Sequence, residues 1–145
     1  MTQGVLFDTH SLLWYASKHI IRPAAALAIG QAGAACELFA SVISIWEMGV
    51  AITKKQIHLV PDLGGRTPPV WFTHTTSQVG ARALPISAEI AAEASLVPAI
   101  YGYGDPGDCF LIATARMHNL ALVTRDSRMI ALSAANPGYL SVIPC

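Results

Sequence analysis

Residues 101–126 read YGYGDPGDCFLIATARMHNLALVTRD, and this stretch decides the fold. Glycines and an Asp-Pro pair make residues 101–107 a loop. Pro106 is suited to the first helical position, and an apolar helix is predicted from Pro106 to His118. A short buried strand follows from Leu120 to Thr124, and then an acid at Asp126. Loop, helix, strand and acid in this order are the second half of a β-α-β unit.

The same alternation continues outward. Val5-Leu6-Phe7 reads as a buried strand ending at Asp8, with a helix from His10 to Ser17. Pro23 opens an alanine-rich helix that stops near Gly30 to Gly33. Glu37 to Val42 reads as the next strand, and Ser44 caps a helix through about Lys54. Residues 61–69, PDLGGRTPP, are turn chemistry, and a helix runs from about Pro69 to Gly80. Ala83 to Ile86 is a short strand, and Ser87 caps a helix ending before Pro98. After Thr124 come a short helix and a last strand from Tyr139 to Ile143. Short apolar strands alternating with helices call for an α/β fold, a mostly parallel central sheet covered on both faces. That arrangement also accounts for an apolar content of 53%.

The chain has 145 residues, enough for one domain with a real core. No apolar run is long enough to span a bilayer. The opening MTQGVLFDTH lacks a basic lead-in and reaches an acid at once, unlike a signal peptide. Three cysteines without CxxC spacing read as reduced thiols of a cytoplasmic protein. The net charge is zero, so composition alone does not advertise a nucleic-acid partner.

Only nine acids are present, which makes their placement informative. Asp8 follows the first strand, and Asp126 lies just beyond the strand containing Val123. Glu47 falls in the first turn of the helix after the second strand, and Asp108 in the first turn of the helix after the glycine-rich loop. In open parallel sheets, sites form beyond the carboxyl ends of strands, so these four acids are placed to converge. Each also has a local explanation. Asp105 is a good N-cap before Pro106. Ser44-x-x-Glu47 matches a capping box. Asp8 and Asp126 can cap or turn. Four unrelated caps at one sheet edge is the less economical reading. Carboxylates brought together repel one another unless a cation sits among them, and an all-oxygen set suits Mg2+ or Mn2+. Phosphodiester hydrolysis is the chemistry such a site performs. Lys54, Lys55, Arg125 and Arg128 are candidate phosphate contacts, with a solvated face as the alternative.

The motifs VLFDTHSLLW (5–14), SVISIWEMGV (41–50), LPISAEIAAEAS (84–95) and GDPGDCFLIATARMHNLALVTRDSRM (104–129) occur in this order along nearly the whole chain. Together they resemble a PIN-domain ribonuclease, specifically the VapC-type toxin of bacterial toxin–antitoxin pairs. The resemblance implies a three-layer α/β/α PIN-like fold and metal-site, catalytic acids at Asp8, Glu47, Asp108 and Asp126. It makes Asp105 a secondary acid and Thr9, Ser44 and Thr124 polar supports. It further implies Mg2+- or Mn2+-dependent cleavage of RNA, often structured RNA such as tRNA. A homodimer and a small VapB-like antitoxin that blocks the site complete the expectation. The chain departs from the family pattern at Gly107, where a bulkier residue is common, and at Cys109, in place of an arginine.

Two rivals carry different chemistry. A haloacid-dehalogenase-type phosphatase is suggested by VLFDTH, but it needs a second acid two residues after the first, where this chain has His10. A catalytically altered PIN-like module that binds RNA or protein without cutting is the non-enzymatic alternative.

Overall fold

Three consecutive apolar residues, Val5–Phe7, form the central strand β1, buried on both faces. The computed structural model describes residues 3–54 and 56–145. Around β1 lie β2 (Leu38–Ser41), β3 (Arg82–Leu84), β4 (Ala121–Thr124) and β5 (Ser141–Pro144). They make one five-stranded sheet in the order β3-β2-β1-β4-β5, and every pairing is parallel. The chain builds outward from β1 to β2 and β3, then returns to place β4 on the other side. The boundary between β1 and β4 is therefore the topological switch point, where open parallel sheets leave a crevice.

Alternation along the strands feeds two cores. Val5, Phe7, Leu38 and Ala40 face one layer, packing with Leu12 of α1 (Thr9–Ala16), Ala25 and Ile29 of α2 (Pro23–Ala34), and Trp71 and Phe72 of α4 (Pro68–Val79). Leu6, Phe39 and Leu122 face the other. That layer contains Ile90 and Val97 of α5 (Ala88–Tyr101), Ile112 of α6 (Pro106–Met117) and Met129 of α7 (Ser127–Ala135). Met48 of α3 (Ile43–Ala51) packs into the first core, while Ile43 lies against the second, so α3 straddles the sheet edge. The molecule is a three-layer α/β/α sandwich, as the alternating pattern requires.

Three local expectations are corrected. Ser44 does not cap α3. The helix begins at Ile43 after Val42, and the Ser41 hydroxyl accepts from the Ile43 amide at 3.1 Å. Ser44 is fully buried inside the helix, which ends at Ala51 rather than near Lys54. The helix before the glycine-rich loop does not stop at Pro98. It continues to Tyr101, because burial of Val97 and Tyr101 against α6 holds its last turn. Gly102, in the left-handed conformation at φ 82°, then ends it, its amide bonding to the Pro98 carbonyl. Finally, the last strand is Ser141–Pro144, not Tyr139 to Ile143. Elsewhere boundaries shift by one to a few residues; α2, for instance, runs through Gly30 and Gly33 to Ala34.

At the amino edge of the sheet, Arg116 ties α5, α6 and the approach to β5 together. Its Nε meets Glu93 Oε1 at 2.6 Å, an Nη1 bond of 2.6 Å reaches the Tyr139 carbonyl, and the guanidinium stacks 3.7 Å from the Tyr139 ring. Both side chains of the ion pair are only partly exposed, so solvent screens the contact incompletely. Arg116→Ala is expected to lower unfolding free energy by about 1–2 kcal/mol. Urea unfolding at neutral pH checks this, and an unchanged midpoint would remove the tie.

Among the described residues no helix is long and apolar enough to cross a membrane.

Candidate active site

Asp8 emerges from β1 at the switch point. Its amide donates to the Val123 carbonyl of β4 at 3.1 Å, which fixes it beside the neighbouring strand. Its side chain caps α1, Oδ1 accepting from the Ser11 amide at 2.7 Å, while Oδ2 accepts from the Thr124 hydroxyl. The residue is 7% exposed. Thr124, the last residue of β4, also accepts from the Asp126 amide at 3.0 Å. One hydroxyl thus joins the first acid of the chain to the last of the cluster. Asp126 caps α7 through Oδ1, which accepts from the Arg128 and Met129 amides at 2.8 and 3.2 Å.

Glu47 approaches from α3. Its Oε1 accepts from the Thr9 hydroxyl at 2.6 Å, and Thr9 lies 2.8 Å from the Ser44 hydroxyl. Since the single Thr9 proton points at the carboxylate, Ser44 is the donor of that second bond. This pairing is why the Ser-x-x-Glu pattern is not a capping box here: both side chains turn to α1 instead of to their own helix end. Asp108 comes from the first turn of α6. Asp105 Oδ1 accepts from the Asp108 amide at 3.1 Å, and Asp108 Oδ2 accepts from the Tyr101 hydroxyl at 2.8 Å. Helices that cross between parallel strands start at the carboxyl edge, so α6 delivers these two acids to the same place as β1 and β4.

All five carboxylates, Asp8, Glu47, Asp105, Asp108 and Asp126, line one cleft of about 480 Å³, with Arg125 and Arg128 also in its wall. Burial raises the Glu47 pKa to about 7. The Thr9 hydrogen bond opposes the rise, and repulsion from Asp108, Asp105 and Asp8 adds to it. Burial likewise raises Asp108 to about 6, against the Tyr101 hydrogen bond and with help from Asp105, Asp126 and Asp8. These are the marks of negative charge crowded into a partly dry space. Burial, with Asp108 and Asp105 nearby, holds the Cys109 thiol protonated, which argues against a thiolate nucleophile.

Among the described residues no three His, Cys, Asp or Glu side chains are already drawn together as a ready metal cage. The hydroxyls of Thr124, Thr9 and Tyr101 each hold one carboxylate toward the wall. The donor set nevertheless suits a hard divalent cation. It is all oxygen, and Glu47 Oε2, Asp108 Oδ1 and Asp126 Oδ2 have no hydrogen-bond partner among the described residues.

The remaining candidates divide. Arg125 stacks 4.3 Å from the Trp14 ring while its Nε and Nη2 donate to the carbonyls of Cys145 and Ile20, at 3.0 and 2.7 Å. Arg128 lies 4.2 Å from the Tyr103 ring. Lys54 is exposed beyond the end of α3 and is not among the cleft residues, and Lys55 lies outside the described residues. From sequence Tyr101 has no assigned role, Trp14 reads as core or interface with base stacking as the lesser alternative, and His10 reads either as a substrate contact beside Asp8 or as a surface residue at a helix start. His10 and Trp14 sit on one face of α1 at i, i+4 spacing, their rings 5.7 Å apart, and both line the cleft. That spacing after Asp8 was the available signal.

The profile of the PIN-domain family matches residues 5–135. The chain belongs to the PIN-domain family. This PIN domain is 32% identical over 127 residues to the ribonuclease VapC22 of Mycobacterium tuberculosis, an alignment covering 86% of this chain and 88% of that protein. Among solved structures it resembles VapBC2 from Rickettsia felis bound to a DNA fragment from its promoter, with a TM-score of 0.61 at 11% identity. That match covers 97% of this chain and 98% of the other. A toxin–antitoxin complex from Klebsiella pneumoniae matches with a TM-score of 0.55 at 23% identity, over 97% of this chain and 96% of the other.

Among the described residues the Tyr101 hydroxyl hydrogen-bonds no acid but Asp108, so its loss isolates the support of Asp108. Tyr101→Phe is expected to leave the fold intact and weaken divalent-ion affinity about tenfold. A Mn2+ titration followed by melting temperature reads it; wild-type affinity would make the tyrosine a packing residue only.

Proposed function

We propose that this PIN domain is a Mg2+- or Mn2+-dependent endoribonuclease, the toxin of a VapBC-type pair. The observation that carries the reading is the convergence of five carboxylates in one cleft at the switch point, Glu47 from α3, Asp108 from α6, and Asp8, Asp105 and Asp126 from the residues that cap α1, α6 and α7. Asp8, Glu47, Asp108 and Asp126 would hold the ion, with Asp105 beside them. A divalent cation there supplies water activation at neutral pH and offsets charge on the phosphate.

The protein's own groups prepare the reaction. Thr124 and Ser11 fix Asp8, Thr9 orients Glu47, and Tyr101 orients Asp108, so the acids stand in place before substrate arrives. Arg128, at the rim, is suited to a phosphate oxygen of the RNA backbone. Arg125, with two donors directed at carbonyls, chiefly braces Trp14 and the wall. Hydrolysis breaks a P–O bond of RNA as water adds to phosphorus, and the chemistry needs nothing from Cys109. The exposed Trp46 and Val50 on α3 and Val70 on α4 offer apolar surface for an antitoxin or a second copy of the chain. The toxin–antitoxin assemblies among its structural relatives support a small VapB-like partner.

The test is purified protein with total RNA, including tRNA, in Mn2+, Mg2+ or chelator, beside Asp8→Asn. Cleavage that needs the metal and the aspartate is expected. RNA binding without cleavage in every pool would replace the nuclease with a binding module.

A further inference from the structure

Gly107 is the second residue of α6 and is buried. Its backbone is not in the left-handed region, so conformation does not call for glycine. Helix propensity favours alanine at such a place. What calls for glycine is space. A Cβ at 107 would lie 2.6 Å from Glu47 Cδ, 2.7 Å from Oε2 and 3.0 Å from Cγ, and these are the three nearest atoms it would meet. The other oxygen of the same carboxylate takes the Thr9 hydrogen bond. Glu47 is thus seated between a hydroxyl on α1 and a bare α-carbon on α6.

We propose that Gly107 is a positioning residue for Glu47: its missing side chain lets the carboxylate cross from α3 and stand among Asp8, Asp105 and Asp108. The role in ion binding rests on the metal-centre reading above. A methyl group at 107 meets only the far end of a flexible side chain at under 3 Å, so the side chain swings away and the helices stay packed. Glu47 then leaves Thr9, and the cluster loses one of its oxygen donors.

The experiment compares Gly107→Ala in the wild-type and Glu47→Ala backgrounds. In the wild type, Gly107→Ala is expected to keep its melting temperature in chelator and to weaken Mn2+ binding about tenfold, read from the Mn2+-dependent rise in melting temperature. In Glu47→Ala it should weaken Mn2+ binding no further and should raise the metal-free melting temperature, because nothing is left to strike. Metal-free crystal structures should show Glu47 on Thr9 in the wild type and withdrawn in Gly107→Ala. Wild-type Mn2+ affinity with Glu47 still on Thr9, or an equal loss in both backgrounds, overturns the proposal. If Gly107→Ala does not fold, folding of the double variant upholds the contact, and failure of both overturns it. Should the wild type show no Mn2+ response, the metal reading falls, and the position of Glu47 in the two crystal structures alone decides the role of Gly107.

Discussion

Asp108→Asn is expected to fold as the wild type does and to lose RNA cleavage by about a hundredfold or more. The two halves of this outcome come from different atoms. The cap of α6 is made by Asp105 Oδ1 on the Asp108 amide, and an asparagine keeps that amide. The asparagine carbonyl can still accept from Tyr101, so the local wall survives. What disappears is one negative charge from a crowd of five. In chelator the variant should therefore melt at the same temperature as the wild type or slightly above it. With Mn2+ present it should gain less. Gel-based cleavage together with melting curves in both conditions reads each half separately. A stable variant of undiminished activity would remove Asp108 from the chemistry, and an unstable one would return it to a structural role.

Acid should stabilise the metal-free protein. Glu47 in the fold holds its proton to about pH 7 and Asp108 to about pH 6, against ordinary values of 4.5 and 3.8. Folding takes up protons in the window between those values, so stability falls as pH rises through it and levels off above about pH 7. With roughly 1.4 kcal/mol per pKa unit and some solvent reaching both groups, the loss from pH 4 to pH 8 is on the order of 2 kcal/mol. Melting temperature in chelator should drop by several degrees over that range. Saturating Mn2+ at pH 8 should restore it, because bound cation replaces protons as the counter-charge. Glu47→Gln combined with Asp108→Asn should flatten the profile. A metal-free protein that grows more stable from pH 5 to pH 8 would show that these acids are not crowded.

The sheet was legible because strands buried on both faces leave uninterrupted apolar runs, and Val5-Leu6-Phe7 before Asp8 is such a run. The positions of Asp8 and Asp126 were legible for the same reason, each following a strand end. Capping and site-lining proved compatible. Asp8, Asp105 and Asp126 each give an oxygen to a helix start and still face the cleft. Ser44 misled because its partner, Thr9, is 35 residues away, and a local pattern cannot see a tertiary acceptor. Pro98 misled because packing of Val97 and Tyr101 outweighs one missing amide bond. Tyr101 escaped notice because its approach to Asp108 depends on the left-handed turn at Gly102, not on helical spacing. The commitment of Arg125 to the carbonyls of Ile20 and Cys145 leaves no trace in the sequence either.

The placement of β4 beside β1 bears on the order in which the molecule is made. Translation delivers Asp8 early, yet its hydroxyl partner, Thr124, is 116 residues downstream, and the strand that flanks it arrives only with Ala121–Thr124. A nascent chain holding the first two strands and their helices lacks half the crevice. The cluster of acids cannot be completed while the ribosome is still short of residue 126, so the cleft takes its final form only after most of the chain has been threaded out.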